Sequence, residues 1–116
     1  MSTPKELRVS KDRRTLTVTF AAEGTFELPA EMLRVMSPSA EVQGHAPSER
    51  VTVPGKRNVA IAALVPTGNY AVRIRFDDGH DTGIFTWHYL LELGREKEAR
   101  WQAYLDELEA AGLKRD

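Results

Sequence analysis

His45, His80 and His88 are the only imidazoles in a chain of 116 residues that contains no cysteine. Any metal centre or general base must therefore be assembled from these three residues and from carboxylates. The lack of cysteine removes disulfides, thiolate ligands, iron–sulfur ligation and a thiol nucleophile together. His80 is the best placed. It sits in Phe76-Asp77-Asp78-Gly79-His80-Asp81, where the residue types of a tight hairpin turn, Asp78-Gly79, are packed among acidic groups. A carboxylate beside an imidazole orients the ring, which suits a metal ligand or a proton carrier. Adding His45, which follows Gly44, gives the candidate set His80, Asp78, Asp81 and His45. Hard oxygen and imidazole donors of this kind suit iron or manganese. The competing reading is that Asp, Gly and His are the ordinary composition of a solvated turn. His88, between Trp87 and Tyr89, reads as a partly buried packing position.

Enzyme templates fail. The second residue after each histidine is Pro47, Thr82 or Leu90, so no His-x-Asp/Glu pair of a non-haem iron oxygenase is present. A Walker phosphate loop, a GxGxxG and a GxSxG are also missing. Ser37 and Ser39 have no base beside them in sequence. No catalytic residue is assigned, and catalysis by this chain alone is not expected.

The elements that must position the turn are legible from periodicity. Leu7 and Val9, then Leu16, Val18 and Phe20, alternate with polar residues across Ser10 to Arg13, as two half-buried strands joined by a turn do. Phe26 and Leu28 continue the alternation to Pro29, which ends the strand. Met32, Leu33 and Met36 then mark a short helix, stopped at Ser37-Pro38. Residues 37–58 hold three of the six prolines and read as a long connection with a short strand at Val51 to Val53. Val59 to Val65, apolar on both faces, reads as a central strand; its hairpin partner carries Tyr70, Val72, Ile74 and Phe76. After the Asp78-Gly79 turn, Ile84 and Phe85 form a further strand. Thr86 is an expected N-cap, with Gly94 as the C-cap. Arg95 to Ala111 is an amphipathic helix with Trp101, Tyr104, Leu105, Leu108 and Ala111 on one stripe. That stripe either packs on its own sheet or pairs with another chain, a route to a homo-oligomer. The segments 16–34 and 72–90 echo one another as strand, turn, strand, helix. The expected fold class is α+β, a mostly antiparallel sheet built from hairpins, with a short helix after the third strand and a C-terminal helical segment packed on the sheet.

Composition narrows the partners. A hydrophobic content of 41%, a charged content of 28% and a formal net charge of −1 give no basic field for nucleic acid and no membrane surface. No apolar run approaches the ~18 residues of a span, and the polar opening lacks a signal-peptide centre, so a cytoplasmic location is expected. Arg50, Lys56 and Arg57 make the long connection locally basic, without interleaved aromatic residues to stack bases. An unidentified protein is the expected partner. Its candidate surface comprises Arg34, Arg50, Lys56, Arg57, Asp77 and Trp87.

Two segments, Leu33 to His45 (LRVMSPSAEVQGH) and Tyr70 to Leu90 (YAVRIRFDDGHDTGIFTWHYL), resemble the small bacterial proteins of domain-of-unknown-function family 971 (DUF971), the gamma-butyrobetaine hydroxylase-like N-terminal domains. The resemblance covers most of residues 7–94. It implies a domain at 1–94, with 95–116 as an amphipathic helix of the same domain. In the hydroxylases such a domain precedes a catalytic iron-dependent jelly roll and binds structural zinc through three cysteines and one histidine. On that pattern His80 matches the zinc-binding histidine, while Ser37, Ser39 and Val42 occupy the cysteine positions. Serine is a poor zinc ligand and valine is none, so structural zinc is not expected. The catalytic jelly roll is not expected here, so hydroxylase activity is not carried over. The resemblance therefore implies a non-catalytic accessory or protein-binding module; the alternative is an iron-binding protein using His80 and its carboxylates. Similar domains attached to scaffold proteins of iron–sulfur assembly place such a role near iron metabolism.

Overall fold

A computed structural model describes residues 3–44 and 50–116. Two antiparallel meanders build an α+β fold. The first runs β1 (Pro4–Val9), β2 (Thr15–Phe20) and β3 (Gly24–Pro29); the second runs β4 (Ile61–Thr67), β5 (Ala71–Phe76) and β6 (Gly83–Thr86). Helices follow each: α1 (Ala30–Val35) and α2 (Ala40–Gln43) after the first, α3 (Trp87–Arg95) and α4 (Lys97–Ala111) after the second. The echo between residues 16–34 and 72–90 is thus a repeated topology, two strands and a helix. Alternation places Leu16, Val18 and Phe20 of β2 and Val72, Ile74 and Phe76 of β5 in one core.

The two sheets are joined at the β1–β2 turn. Arg13 has a φ of 63°, the only positive value outside glycine among the described residues. Left-handed geometry costs a β-carbon-bearing residue about 1 kcal/mol. Three hydrogen bonds offset it: Arg13 O accepts from Ile61 N at 2.7 Å, and the guanidinium donates to Ile61 O and Ala62 O, both at 2.6 Å. Asp12 Oδ1 holds the turn itself, accepting from Ser10 Oγ and Arg14 N.

α3 starts where its cap was expected, with Thr86 Oγ1 accepting from Tyr89 N at 3.1 Å. α4 packs against its own core through buried Tyr104 and Leu108, with Trp101 and Leu105 against them. Trp101 and Leu105 of the stripe stay half-buried and Ala111 is exposed. Tyr104 Oη donates to Val53 O at 2.5 Å.

Four expectations need correction. The Val59 to Val65 stretch forms an edge strand, and β5 is central; the apolar run misled because Ala60, Ala62 and Ala63 are small enough to be left partly in water. Val51 to Val53 is no strand, since Val51 N bonds to Val42 O at the end of α2 rather than to a neighbouring strand. Gly94 lies inside α3 instead of capping it. A β-carbon there would come within 2.5 Å of Phe26 Cγ, so this glycine serves close helix-to-sheet approach. His88 is exposed, on the outer side of α3.

Candidate functional site

The β5–β6 connection is wider than a two-residue hairpin, running over residues 77–82. Gly79, at φ 94°, closes its tight part: Gly79 N donates to Phe76 O, and Phe76 N donates to His80 O at 2.9 Å. Asp78 Oδ1 accepts from His80 N at 3.0 Å, an Asx turn. Together these bonds fix the backbone of His80 and turn its ring inward, leaving 2% of the side chain exposed.

The ring meets the α1–α2 connection. His80 Nδ1 lies 3.0 Å from Glu41 Oε2, and Nε2 lies 2.9 Å from Ser37 Oγ and 3.4 Å from Ser39 Oγ. An ionised carboxylate only accepts, so Nδ1 carries a proton and donates to Glu41, and in the neutral ring Nε2 accepts from the Ser37 hydroxyl. Ser37 is wholly buried, and its carbonyl accepts from Gln43 Nε2 at 3.0 Å. Gly83 makes room for it, because a β-carbon there would lie 2.3 Å from Ser37 Oγ. The structure thus brings Ser37, Ser39 and His80 together; Val42 is buried in α2, at 1% exposure.

This donor set does not fit structural zinc. Ser37, Ser39 and Val42 offer two hydroxyls and an isopropyl group in place of three soft thiolates, and His80 Nε2 is already in contact with the Ser37 hydroxyl. Nor do the expected carboxylates turn toward the ring. Asp78 Oδ2 lies 2.7 Å from both Arg34 Nε and Lys56 Nζ. Burial opposes ionisation of Asp78, but hydrogen bonds from Lys56, the His80 N–H and Arg34 outweigh it and hold the carboxyl at about 2. Asp81 pairs with Arg73, whose NH1 also donates to Asp81 O at 3.0 Å. His45 lies outside the described residues. Among the described residues no three His, Asp or Glu side chains are grouped so as to hold a metal ion.

The candidate partner surface divides. Arg34 and Lys56 converge on Asp78, and Lys56, Arg57, Asp77 and Asp78 line one open cleft of about 400 Å³. Asp77 braces it, Oδ1 accepting from Ala60 N at 3.0 Å. Arg50 is elsewhere, paired with Glu107 of α4 in a second cleft of about 420 Å³ that includes Tyr89 and Arg100. Trp87 is also apart, its Nε1 donating to Asn69 O at 2.8 Å. Sequence reasoning missed Glu41, which reaches His80 from a four-residue helix inside what reads as loop. It also missed Glu31, a buried carboxylate on α1 bound by Arg115. Neither has a local sequence signal beyond an acidic residue in a first helical turn.

No helix among the described residues is long and apolar enough to cross a membrane. Comparison with known proteins places these features. One solution NMR structure is 49% identical over 100% of this chain and 91% of its own, with a TM-score of 0.86. Another is 43% identical over 99% of this chain and 86% of its own, with a TM-score of 0.84. A crystal structure of a protein of unknown function in the DUF971 family, from Acidithiobacillus ferrooxidans, is 40% identical, covers 79% of this chain and 92% of its own, and has a TM-score of 0.65. No curated protein matches the chain. Residues 7–91 match the model of the family described as gamma-butyrobetaine hydroxylase-like, N-terminal, and the chain therefore belongs to that family, which includes the DUF971 proteins.

Proposed function

We propose that this chain is a non-catalytic protein-binding module whose recognition surface is the charged tip at Asp77 and Asp78 with Arg34, Lys56 and Arg57. The observation that carries this reading is the Asp78 carboxylate held 2.7 Å from both Arg34 and Lys56. These contacts draw the basic connection and the acidic turn, distant in sequence, onto one surface. Beneath it, His80 ties the turn to the α1–α2 connection and to α2 through hydrogen bonds, a role an ion would otherwise fill. Rigid presentation of a charged loop needs no turnover.

Ser37, His80 and Glu41 stand in the order hydroxyl, imidazole, carboxylate, as in an acyl-transfer triad. Burial argues against that use: Ser37 has 0% of its surface exposed, so an acyl donor cannot approach Oγ. The same burial suits a structural lock.

Affinity capture tests the reading. Wild type and the Lys56→Glu/Arg57→Glu variant are immobilised and exposed to extract of the source cell. We expect a partner retained by wild type and lost by the variant, with both proteins equally folded by circular dichroism. Equal retention by both would remove the tip as the recognition surface.

A further inference from the structure

Glu31 is a second buried charge, away from the His80 network. It lies in the first turn of α1 with 7% of its side chain exposed. Both oxygens accept from one guanidinium: Arg115 Nε at 2.8 Å and NH2 at 2.6 Å. The same guanidinium stands 5.3 Å from the centroid of the Trp101 ring. Main-chain bonds continue the contact, since Gly55 N donates to Lys114 O at 2.9 Å and Arg57 N donates to Arg115 O at 3.0 Å. Gly112 aims the segment there. Its left-handed φ of 68° ends α4, with Gly112 N donating to Glu109 O and Leu113 N to Leu108 O, a Schellman arrangement.

Residues 113–116 thus lie as a strap across residues 55–57. The strap is held by a bidentate carboxylate, an aromatic face and two main-chain donors, the features that select arginine within an extended peptide. Lysine could not replace it, because an ammonium cannot span two oxygens in the plane of a carboxylate. Leu113 is 38% exposed, and Asp116 pairs with Arg57 at the surface, with 70% of its side chain in water. An empty groove would leave a buried, unpaired carboxylate, which is costly. The groove therefore calls for a guanidinium, and nothing in its geometry requires that guanidinium to belong to the same chain.

We propose that the Glu31–Trp101 groove is a binding site for an arginine-bearing extended segment of a partner protein, occupied in cis by the strap Leu113–Asp116. This rests on the reading of the chain as a binding module and names the chemistry of its partner. The strap and the tip adjoin, since Arg115 and Asp116 line the same cleft as Lys56 and Asp78. A tethered occupant acts at an effective concentration on the order of millimolar, so the closed strap should weaken binding in trans by ~10-fold or more.

The test uses a fluorescent peptide, Ala-Gly-Leu-Lys-Arg-Asp, the sequence of residues 111–116, and a control in which lysine replaces its arginine. Anisotropy titrations are run on wild type, Arg115→Ala, Arg115→Lys and Arg115→Ala/Glu31→Gln. Both single variants should bind the arginine peptide at least ~10-fold more tightly than wild type. The control peptide and the Glu31→Gln variant should each lose ~10-fold or more. Arg115→Lys keeps a cation opposite Glu31 and serves if Arg115→Ala does not fold; amide NMR spectra check both. Indifference to arginine versus lysine, no saturable binding by a folded variant, or dimerisation through exchanged straps without peptide binding would each overturn the proposal. The two readings fail separately. Loss of a captured partner by Lys56→Glu/Arg57→Glu together with no peptide binding would sink the groove and leave the module standing.

Discussion

Replacing Gly83 with alanine sets a methyl carbon 2.3 Å from Ser37 Oγ and 3.1 Å from Phe85 Cε1. Neither neighbour can give way freely. Ser37 and Phe85 are both at 0% exposure, and turning the Ser37 hydroxyl aside breaks its 2.9 Å bond to His80. Overpacking of this kind costs about 1–3 kcal/mol, and losing the shorter of the two hydroxyl contacts to His80 Nε2, with Ser39 Oγ remaining at 3.4 Å, costs about 1 kcal/mol more. We expect Gly83→Ala to lower the unfolding free energy by about 3 kcal/mol. Ser37→Ala removes only the hydroxyl and should cost about 1–2 kcal/mol. In the double variant the new methyl occupies the space the hydroxyl held, its nearest contacts being Phe85 Cε1 at 3.1 Å and Ser37 Cβ at 3.4 Å. The bond to His80 is then lost once, not twice. The double variant should therefore be about as stable as Ser37→Ala alone, a coupling of roughly 2–3 kcal/mol, well above the ~0.5 kcal/mol scatter of independent sites. Urea titration of the four proteins at neutral pH, with unchanged m-values, measures it. Additive losses, or a Gly83→Ala protein as stable as wild type, would show that Ser37 and Gly83 are not in the contact on which the site is built.

Three further outcomes are expected. Asp78, held at about 2 against an ordinary 3.8, contributes stability that is fully present above its unfolded-state value and is lost as pH falls from about 4 through about 2. Unfolding free energies across that window should therefore fall more steeply for wild type than for Asp78→Asn, and parallel curves would contradict the assigned ion pairs. Gly94→Ala should destabilise by about 2 kcal/mol despite alanine's better helix propensity, because the new β-carbon would lie 2.5 Å from a Phe26 ring that is itself packed edge-on to Phe20. Thermal melts of Gly94→Ala with and without Phe26→Ala check this, and a gain in stability from Gly94→Ala alone would refute it. Restoring sulfur at Ser37, Ser39 and Val42 as cysteines should create a four-ligand site with His80 that retains one zinc per chain after desalting, measured by metal analysis; wild type should retain less than one equivalent of zinc or iron. A metal-free triple variant that is folded would mean that a side chain at position 42 does not reach the Ser37, Ser39 and His80 cluster.

The sequence disclosed those features whose cause is local. Alternation across β2 and β5 announced the strands and the faces they bury, because a period of two is written in adjacent residues. Thr86 announced the start of α3 because a capping hydroxyl acts within three residues. The meeting of residues 37–42 with His80, 43 positions apart between Ser37 and His80, came from the resemblance of two segments to a known family and not from any periodicity. Where contacts are distant and no family pattern was invoked, the chain was mute. Nothing around Glu31 foretells Arg115, which is 84 positions away and reaches it only because Gly112 bends the chain out of α4.

The same logic explains how the tip was half understood. Asp78, Asp81 and His80 are neighbours in sequence, and adjacency suggested one cluster of ligands. Yet in a tight turn successive side chains diverge: His80 enters the core, Asp78 turns to Arg34 and Lys56, and Asp81 turns to Arg73. The groups that do surround the ring, Ser37, Ser39 and Glu41, alternate along an extended segment and the first turn of α2, so that every second residue faces His80. A hydroxyl that donates to Nε2 and a carboxylate that accepts from Nδ1 satisfy both ring nitrogens without an ion. A buried imidazole so satisfied holds the turn to the α1–α2 segment, and above it the Asp78 carboxylate gathers Arg34 and Lys56, each no more than 23% exposed, beside the exposed Asp77 and Arg57 that a partner can meet.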